Sequence, residues 1–148
     1  MTNIAVVKFA RTFPGAYIPE LHTAGSVGYD LRTPISFSIE PESSIKINVG
    51  IAFEIDEDCN FYPQIFDKSS VAANYNVNAK GGVIDIDYRG SIIVALVNHS
   101  KMVVNFKRGD GIAQLVFLNY TKCKLLEVEF VKVDTERAKR GFGGTTHT

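Results

Sequence analysis

The sequence has no excess of either charge: 16 Lys and Arg balance 16 Asp and Glu. Domains that coat nucleic-acid backbone carry a clear basic surplus, so no nucleic-acid partner is expected. No apolar run approaches the ~20 residues that a membrane helix needs, so no membrane partner is expected either. Cysteine is scarce. Cys59 and Cys123 lie far apart without CxxC spacing, and are expected to be reduced, buried thiols. His22, His99 and His147 make no familiar zinc spacing with them, which argues against a structural metal. The start, Met1-Thr2-Asn3-Ile4, lacks the charged-then-apolar pattern of a secretion signal. An intracellular location, cytoplasmic or nuclear, is the expectation. Helical periodicity is nearly absent, and there is no internal repeat or low-complexity segment. The 148 residues suit a single domain.

What is present is β pattern. Ile45-Lys46-Ile47-Asn48-Val49 alternates with period two, as a half-buried strand does. Residues 4–9, 52–55, 61–66, 102–106 and 112–117 also read as short strands, as does 126–130 with its alternating Glu127 and Glu129. The continuous apolar run Ile92–Val97 is expected to be a strand buried on both faces. Turn signals fall at Pro14-Gly15, Pro41-Glu42-Ser43, Gly81-Gly82 and Gly109-Asp110-Gly111. The best helix candidate is Ser69–Tyr75, with its serines as caps. Many short strands with frequent turns predict an all-β sandwich or jelly roll with little helix. After Val133 the pattern stops, and residues 134–148 form a glycine-rich tail: a frayed end or an arm that orders over a ligand.

Three segments carry candidate chemistry. In Gly82-Val83-Ile84-Asp85-Ile86-Asp87-Tyr88-Arg89-Gly90, two acids at i and i+2 share a face in extended chain, beside a glycine-rich turn. An Asp entering an apolar strand is costly without a task or a partner. In Asp67-Lys68-Ser69-Ser70, a cation and two hydroxyls sit where a strand gives way to a helix start, a pattern that suits phosphate. The tail adds Arg137, Gly143 and Thr145.

Five stretches, in order, resemble the five motifs of the trimeric dUTPase family. They are residues 24–31 (AGSVGYDL), 68–72 (KSSVA), 82–90 (GVIDIDYRG), 109–115 (GDGIAQL) and 137–145, with GFGGT at its core. Any one would be weak; five in this order and spacing, over nearly the whole chain, are specific. The resemblance implies a distorted, β-clip-like jelly roll over residues 1–133, a C-terminal arm over 134–148 that closes on the active site, and a homotrimer with shared sites. It implies hydrolysis of dUTP to dUMP and pyrophosphate with Mg²⁺.

By the same resemblance Asp85 is the general base, an aspartate able to take a proton from a water that attacks the α-phosphorus. Tyr88 matches the aromatic under the deoxyribose, and Gly82, Val83, Ile84 and Ile93 match the uracil pocket. There the main chain would read the base edge, and cytosine's opposite donor pattern would leave buried groups unpaired. Lys68, Ser69, Ser70 and Gln114 match phosphate ligands. Asp30 matches a residue that holds the metal through water, consistent with magnesium's retained hydration. Arg137, Phe142, Gly143, Gly144 and Thr145 match the arm that covers uracil and phosphates.

The sequence also departs from the family. Lys68 stands where arginine is frequent, a point charge replacing a two-pronged donor. Gly111 replaces an arginine, Gly144 a common serine and Thr146 a common glycine. These departures keep a second expectation open, a nucleotide-binding or protein-interaction relative with weakened catalysis. A dCTP deaminase, a third, needs a carboxylate soon after the hairpin, and Ser91–Val97 has none. Asn98-His99-Ser100 matches a glycosylation pattern, read here as chance.

Overall fold

The computed structural model describes residues 4–142, which form eleven strands and one short helix. The strands are β1 (Lys8–Arg11), β2 (Glu20–Leu21), β3 (Tyr29–Arg32), β4 (Phe37–Ile39), β5 (Ser44–Asn48), β6 (Ile51–Glu54), β7 (Phe61–Phe66), β8 (Val77–Lys80), β9 (Ile93–Asn98), β10 (Val104–Phe106) and β11 (Gly111–Asn119). Helix α1 is Ser69–Tyr75. All pairings between strands are antiparallel, in the orders β2-β3-β11-β7, β5-β9-β8, β1-β6 and β10-β4. The fold is the expected all-β jelly roll.

Period-two alternation builds the core. In β5, Ile47 points in while Lys46 and Asn48 point out. In β9, Val94, Leu96 and Asn98 are buried, whereas Ile93 is exposed and Ala95 and Val97 are half-buried. This corrects the expectation of two buried faces: β9 packs one face on the core and keeps the other partly open. Leu31 of β3, Ile65 of β7 and Ala113 and Leu115 of β11 meet those side chains in one apolar cluster. Burial of each Val, Leu or Ile side chain here stabilises the fold by roughly 1.5–3 kcal/mol.

Other expectations shift at their edges. The first strand begins at Lys8 rather than Ile4, and β10 begins at Val104, leaving Met102 exposed. Residues 126–130 form no strand, and Leu126, Val128 and Phe130 are exposed. Alternation specifies a strand only where another strand offers an edge, and here none of the described strands pairs with this segment. Cys59 is half-buried and Cys123 exposed, both as free thiols, so neither is the buried thiol expected. Helix α1 has the expected bounds but not the expected cap. Lys68, in extended conformation, is the N-cap residue and no side chain caps the helix; Ser69 and Ser70 lie inside the first turn. The helix ends where Asn76 turns left-handed (φ 54°) and returns its N–H to the Ala72 carbonyl.

Asn98 is the principal buried polar residue of the core. Its amide donates to the carbonyls of Ile39, Glu40 and Met102 at 3.0, 3.2 and 2.7 Å, and its oxygen accepts from the N–H and hydroxyl of Ser100. It ties β9 to β4 and to the turn before β10, and at 0% exposure it offers no carbohydrate acceptor. Asn98→Ala strips five partners at once; it is expected to lower unfolding free energy by roughly 2–4 kcal/mol in a urea titration.

Candidate active site

Two clusters of candidate residues form in the single chain. The first grows from the turn at Gly81-Gly82. Strand β8 ends at Lys80, and Gly81 adopts φ +70°, a left-handed conformation that turns the chain toward β7. Residues 82–84 then add to β7. Ile65 N–H donates to the Gly82 carbonyl at 2.8 Å and Ile84 N–H to the Pro63 carbonyl at 3.1 Å, framing a Gln64–Val83 bridge. A β-carbon at residue 82 would lie 2.2 Å from the Ile65 carbonyl oxygen, so only glycine permits this approach.

Antiparallel geometry then sets which main-chain groups are free. Gly82 C=O and Ile84 N–H are spent on β7, so Val83 N–H and C=O point the other way. They make no backbone hydrogen bond among the described residues.

After Ile84 the chain turns. Tyr88 N–H donates to the Asp85 carbonyl at 3.1 Å. Asp85 and Asp87 are therefore not neighbours on an extended strand; both are exposed on a turn, while Ile84 and Ile86 pack on the core. Arg89 braces this turn by donating to the Ile86 carbonyl at 2.6 Å and to the Ile55 carbonyl at 3.0 Å. The Tyr88 hydroxyl donates to the Ser91 carbonyl at 2.7 Å, laying the phenol over Gly90. The result is a recess of about 240 Å³ lined by Val83, Ile84, Asp85, Tyr88 and Ile93, together with Ile65, Gly81 and Ile92. The first five were expected from the sequence. Ile65 and Ile92 were not, because nothing in an apolar strand residue marks it as a pocket wall. Arg89 was also missed as a brace; an arginine between Tyr88 and Gly90 in a turn was its available signal.

The second cluster sits where β3, β7 and β11 lie side by side. Gln114 is paired in register with Asp30 on one side and Phe66 on the other. Its Nε2 donates to the Asp67 carbonyl at 2.7 Å. Its side chain covers Gly28, where a β-carbon would fall 2.1 Å from Oε1. Asp67 Oδ1 in turn accepts from Ala79 N–H at 2.6 Å, fixing the end of β7 against β8. Lys68 Nζ meets Asp30 Oδ1 at 2.7 Å, with both side chains about a quarter exposed at 32% and 21%. Ser69 and Ser70 are exposed at the start of α1 beside Lys68.

Within this chain β7 stands between the two clusters, residues 82–84 on one edge and Gln114 on the other, and among the described residues the 240 Å³ recess includes none of Asp30, Lys68 and Gln114. The described tail residues make only local hydrogen bonds. Arg137 Nε donates to the Arg140 carbonyl at 2.8 Å, and Phe142 is fully exposed. Gly143, Gly144 and Thr145 lie outside the described residues.

Comparison with known proteins follows the same outline. A dUTPase family model matches residues 15–146. The deoxyuridine 5'-triphosphate nucleotidohydrolase of swinepox virus is 37% identical over 139 residues, 94% of this chain and 96% of that protein. The fowlpox virus protein of the same name is 36% identical over 148 residues, 98% of each chain. Among solved structures, the Staphylococcus bacteriophage 80alpha dUTPase with dUpNHpp superposes with a TM-score of 0.86 at 21% identity, over 97% of this chain and all of that one. At that identity it supports the fold.

The glycine pair gives a direct contrast. Gly82→Ala drives a methyl into the Ile65 carbonyl and is expected to cost at least about 2 kcal/mol. Gly81→Ala meets nothing within 4 Å, so it should carry only the left-handed backbone penalty of about 1–2 kcal/mol. Paired urea titrations read the difference, and the reverse order would contradict the β7 pairing of residues 82–84.

Proposed function

The chain belongs to the dUTPase family, and from that premise we propose that it hydrolyses dUTP to dUMP and pyrophosphate. The observation that carries this reading is the recess that joins the free Val83 main-chain groups, the Tyr88 ring and the Asp85 carboxylate.

Each part has a task. Uracil presents N3–H as a donor beside the O4 acceptor. Val83 C=O and N–H offer the complementary pair. Cytosine reverses that pattern and would leave both protein groups unpaired. The Tyr88 ring, held by its bond to Ser91, packs against the sugar and leaves no space for a 2′-hydroxyl. Asp85, exposed at the mouth, accepts a proton from water as the water oxygen attacks the α-phosphorus. The bond from that phosphorus to the bridging oxygen breaks, and pyrophosphate leaves. Lys68, Ser69, Ser70 and Gln114 would receive the phosphates.

Among the described residues, no three His, Cys, Asp or Glu side chains gather into a metal-binding group. Mg²⁺ commonly keeps several waters and takes phosphate oxygens directly. The donor set present, one Asp30 carboxylate that keeps some solvent contact, fits an ion held through water. When bound, Mg²⁺ would supply charge neutralisation on the triphosphate.

The separation of the two clusters supports a shared site in a homotrimer, with Asp85 and Tyr88 of one subunit facing Lys68 and Gln114 of another. Two surfaces favour such assembly. Leu125, Leu126, Phe130 and Val131 stand exposed along the segment after β11, and an apolar recess of about 510 Å³ opens beside β1, walled by Val6, Val7, Phe9, Phe53 and Phe117. Apolar surface of that extent is covered in most stable proteins. Residues 134–148 would then act as an arm over the site, Arg137 reaching phosphate and Phe142 covering the base, with Gly143, Gly144 and Thr145 completing it. No helix among the described residues is long and apolar enough to cross a membrane.

Pyrophosphate release should be confined to dUTP when dUTP, dTTP, dCTP and UTP are compared with and without Mg²⁺. Asp85→Asn is expected to lower kcat by roughly 10²–10⁴-fold while dUTP binding persists. Equal turnover of dUTP by Asp85→Asn would refute the assigned base. Sedimentation at micromolar concentration is expected to give three chain masses; a monomer that turns over dUTP at full rate would refute the shared site.

A further inference from the structure

Gly111 opens β11 opposite Arg32, and a register irregularity between Gly111 and Ala113 follows it. Its backbone sits close under the Lys68 side chain. A β-carbon at 111 would lie 3.1 Å from Lys68 Cε, 3.2 Å from Cδ and 3.6 Å from Nζ. The lysine stem therefore crosses the surface that a side chain at 111 would occupy, and its ammonium ends on Asp30 at 2.7 Å. Lys68 starts from the N-cap position of α1, Gly111 from β11 and Asp30 from β3, so the three meet from separate elements. Gly111 has no left-handed backbone to explain it, because among the described glycines only Gly50, Gly81 and Gly109 have positive φ. Its lack of a side chain is what the neighbouring lysine uses.

We propose that Gly111 is a positioning residue: by leaving its face of β11 bare it seats Lys68 against Asp30, so that one lysine both braces that carboxylate and presents the charge that receives the triphosphate. The inference deepens the proposed dUTP site and rests on it for its kinetic readout. A methyl at 111 asks the flexible stem to yield by a few tenths of an ångström. A branched side chain fills the track and forces the ammonium off Asp30. Charge-assisted contacts of this kind are directional, so displacement acts on phosphate affinity.

The test is a double-mutant cycle on the full-length chain with G111A, G111L, K68A and G111L/K68A. KM and kcat for dUTP with Mg²⁺ and thermal midpoints are measured for each. G111A is expected to change KM by less than about twofold, and G111L to raise it by roughly tenfold or more, the size of one charge-assisted contact. The thermal midpoint should stay close to the parent, separating positioning from a loss of fold. K68A should raise KM strongly in the parent but by no more than about twofold in the G111L background, because interacting sites are not additive. An equal K68A effect in both backgrounds overturns the proposal, as does an unchanged KM in G111L. A crystal structure of free G111L reads the geometry without any turnover. A Lys68 Nζ to Asp30 separation above 4 Å supports the proposal, and a retained pair overturns it. Should G111L not fold, G111V, which suits a strand, is read the same way. If the parent chain does not hydrolyse dUTP, the substrate reading falls, while the crystallographic separation still decides the role of Gly111.

Discussion

Gln114 lies opposite Asp30 on one side and Phe66 on the other, and much of the candidate chemistry depends on that register. A slip of one residue in β11 would turn Gln114 toward the core and Leu115 toward solvent. It would also move Gly111 from under Lys68. The register is secured by burial: Ala113 and Leu115 are fully enclosed, so any slip exposes them and buries polar groups instead. The Gln114 amide on the Asp67 carbonyl and the Asp67 carboxylate on Ala79 extend this control to β8. From the end of β8, the turn at Gly81 delivers the segment that carries Asp85. Packing on one face of a strand thus places polar groups on a different edge of the molecule.

Much of this was legible in the sequence, and the parts that were not share a cause. Strands 44–48 and 61–66 announce themselves through alternation or apolar runs, and the recess residues Val83, Ile84, Asp85, Tyr88 and Ile93 were read through motif resemblance. Strand β3 hides inside a motif, because Tyr29-Asp30-Leu31-Arg32 gives only two apolar positions and reads as chemistry before it reads as structure. Strand β8, Val77-Asn78-Ala79-Lys80, is too short and mixed to signal itself. Residues 126–130 make the opposite error. Their pattern is as good as that of β5, yet β5 has β9 beside it and they have no described partner. Local pattern reports which face would be buried, and only the rest of the fold decides whether anything buries it. The serine caps failed for a related reason. Helix α1 starts straight from the extended Lys68, so the residue that the motif marks for phosphate occupies the cap position itself.

The separation of the two clusters follows from the topology. Residues 82–84 attach to β7 on the edge away from β11, whereas Lys68 and Gln114 lie where β7 meets β11 and β3. Strand β7 therefore stands between the two clusters within a single chain, with residues 82–84 on one edge and Gln114 across the other. On the proposed reading, symmetry supplies the answer: identical copies arranged in a ring place one subunit's edge against the next subunit's phosphate cluster. The exposed apolar residues after β11 would then be buried by assembly.

The Lys68–Asp30 pair has a cost as well as a use. An ion pair that keeps solvent contact contributes little to stability, typically under about 1 kcal/mol, so stability alone is a weak reason for the fold to seat it so closely. Its value lies in what each partner does when the other is drawn away. Unpaired, the lysine would sample many rotamers, and a ligand would bear the entropy of ordering it. Held over Gly111 it is already extended toward the place where phosphate charge would arrive. On the proposed reading, the triphosphate would compete with one carboxylate for that ammonium, and the released carboxylate would be free to accept hydrogen bonds from water held by Mg²⁺. Exchange of partners in this way would keep both charges satisfied before and after binding. It would also make a glycine beside the lysine compatible with the proposed site: the missing side chain is the space through which the lysine passes.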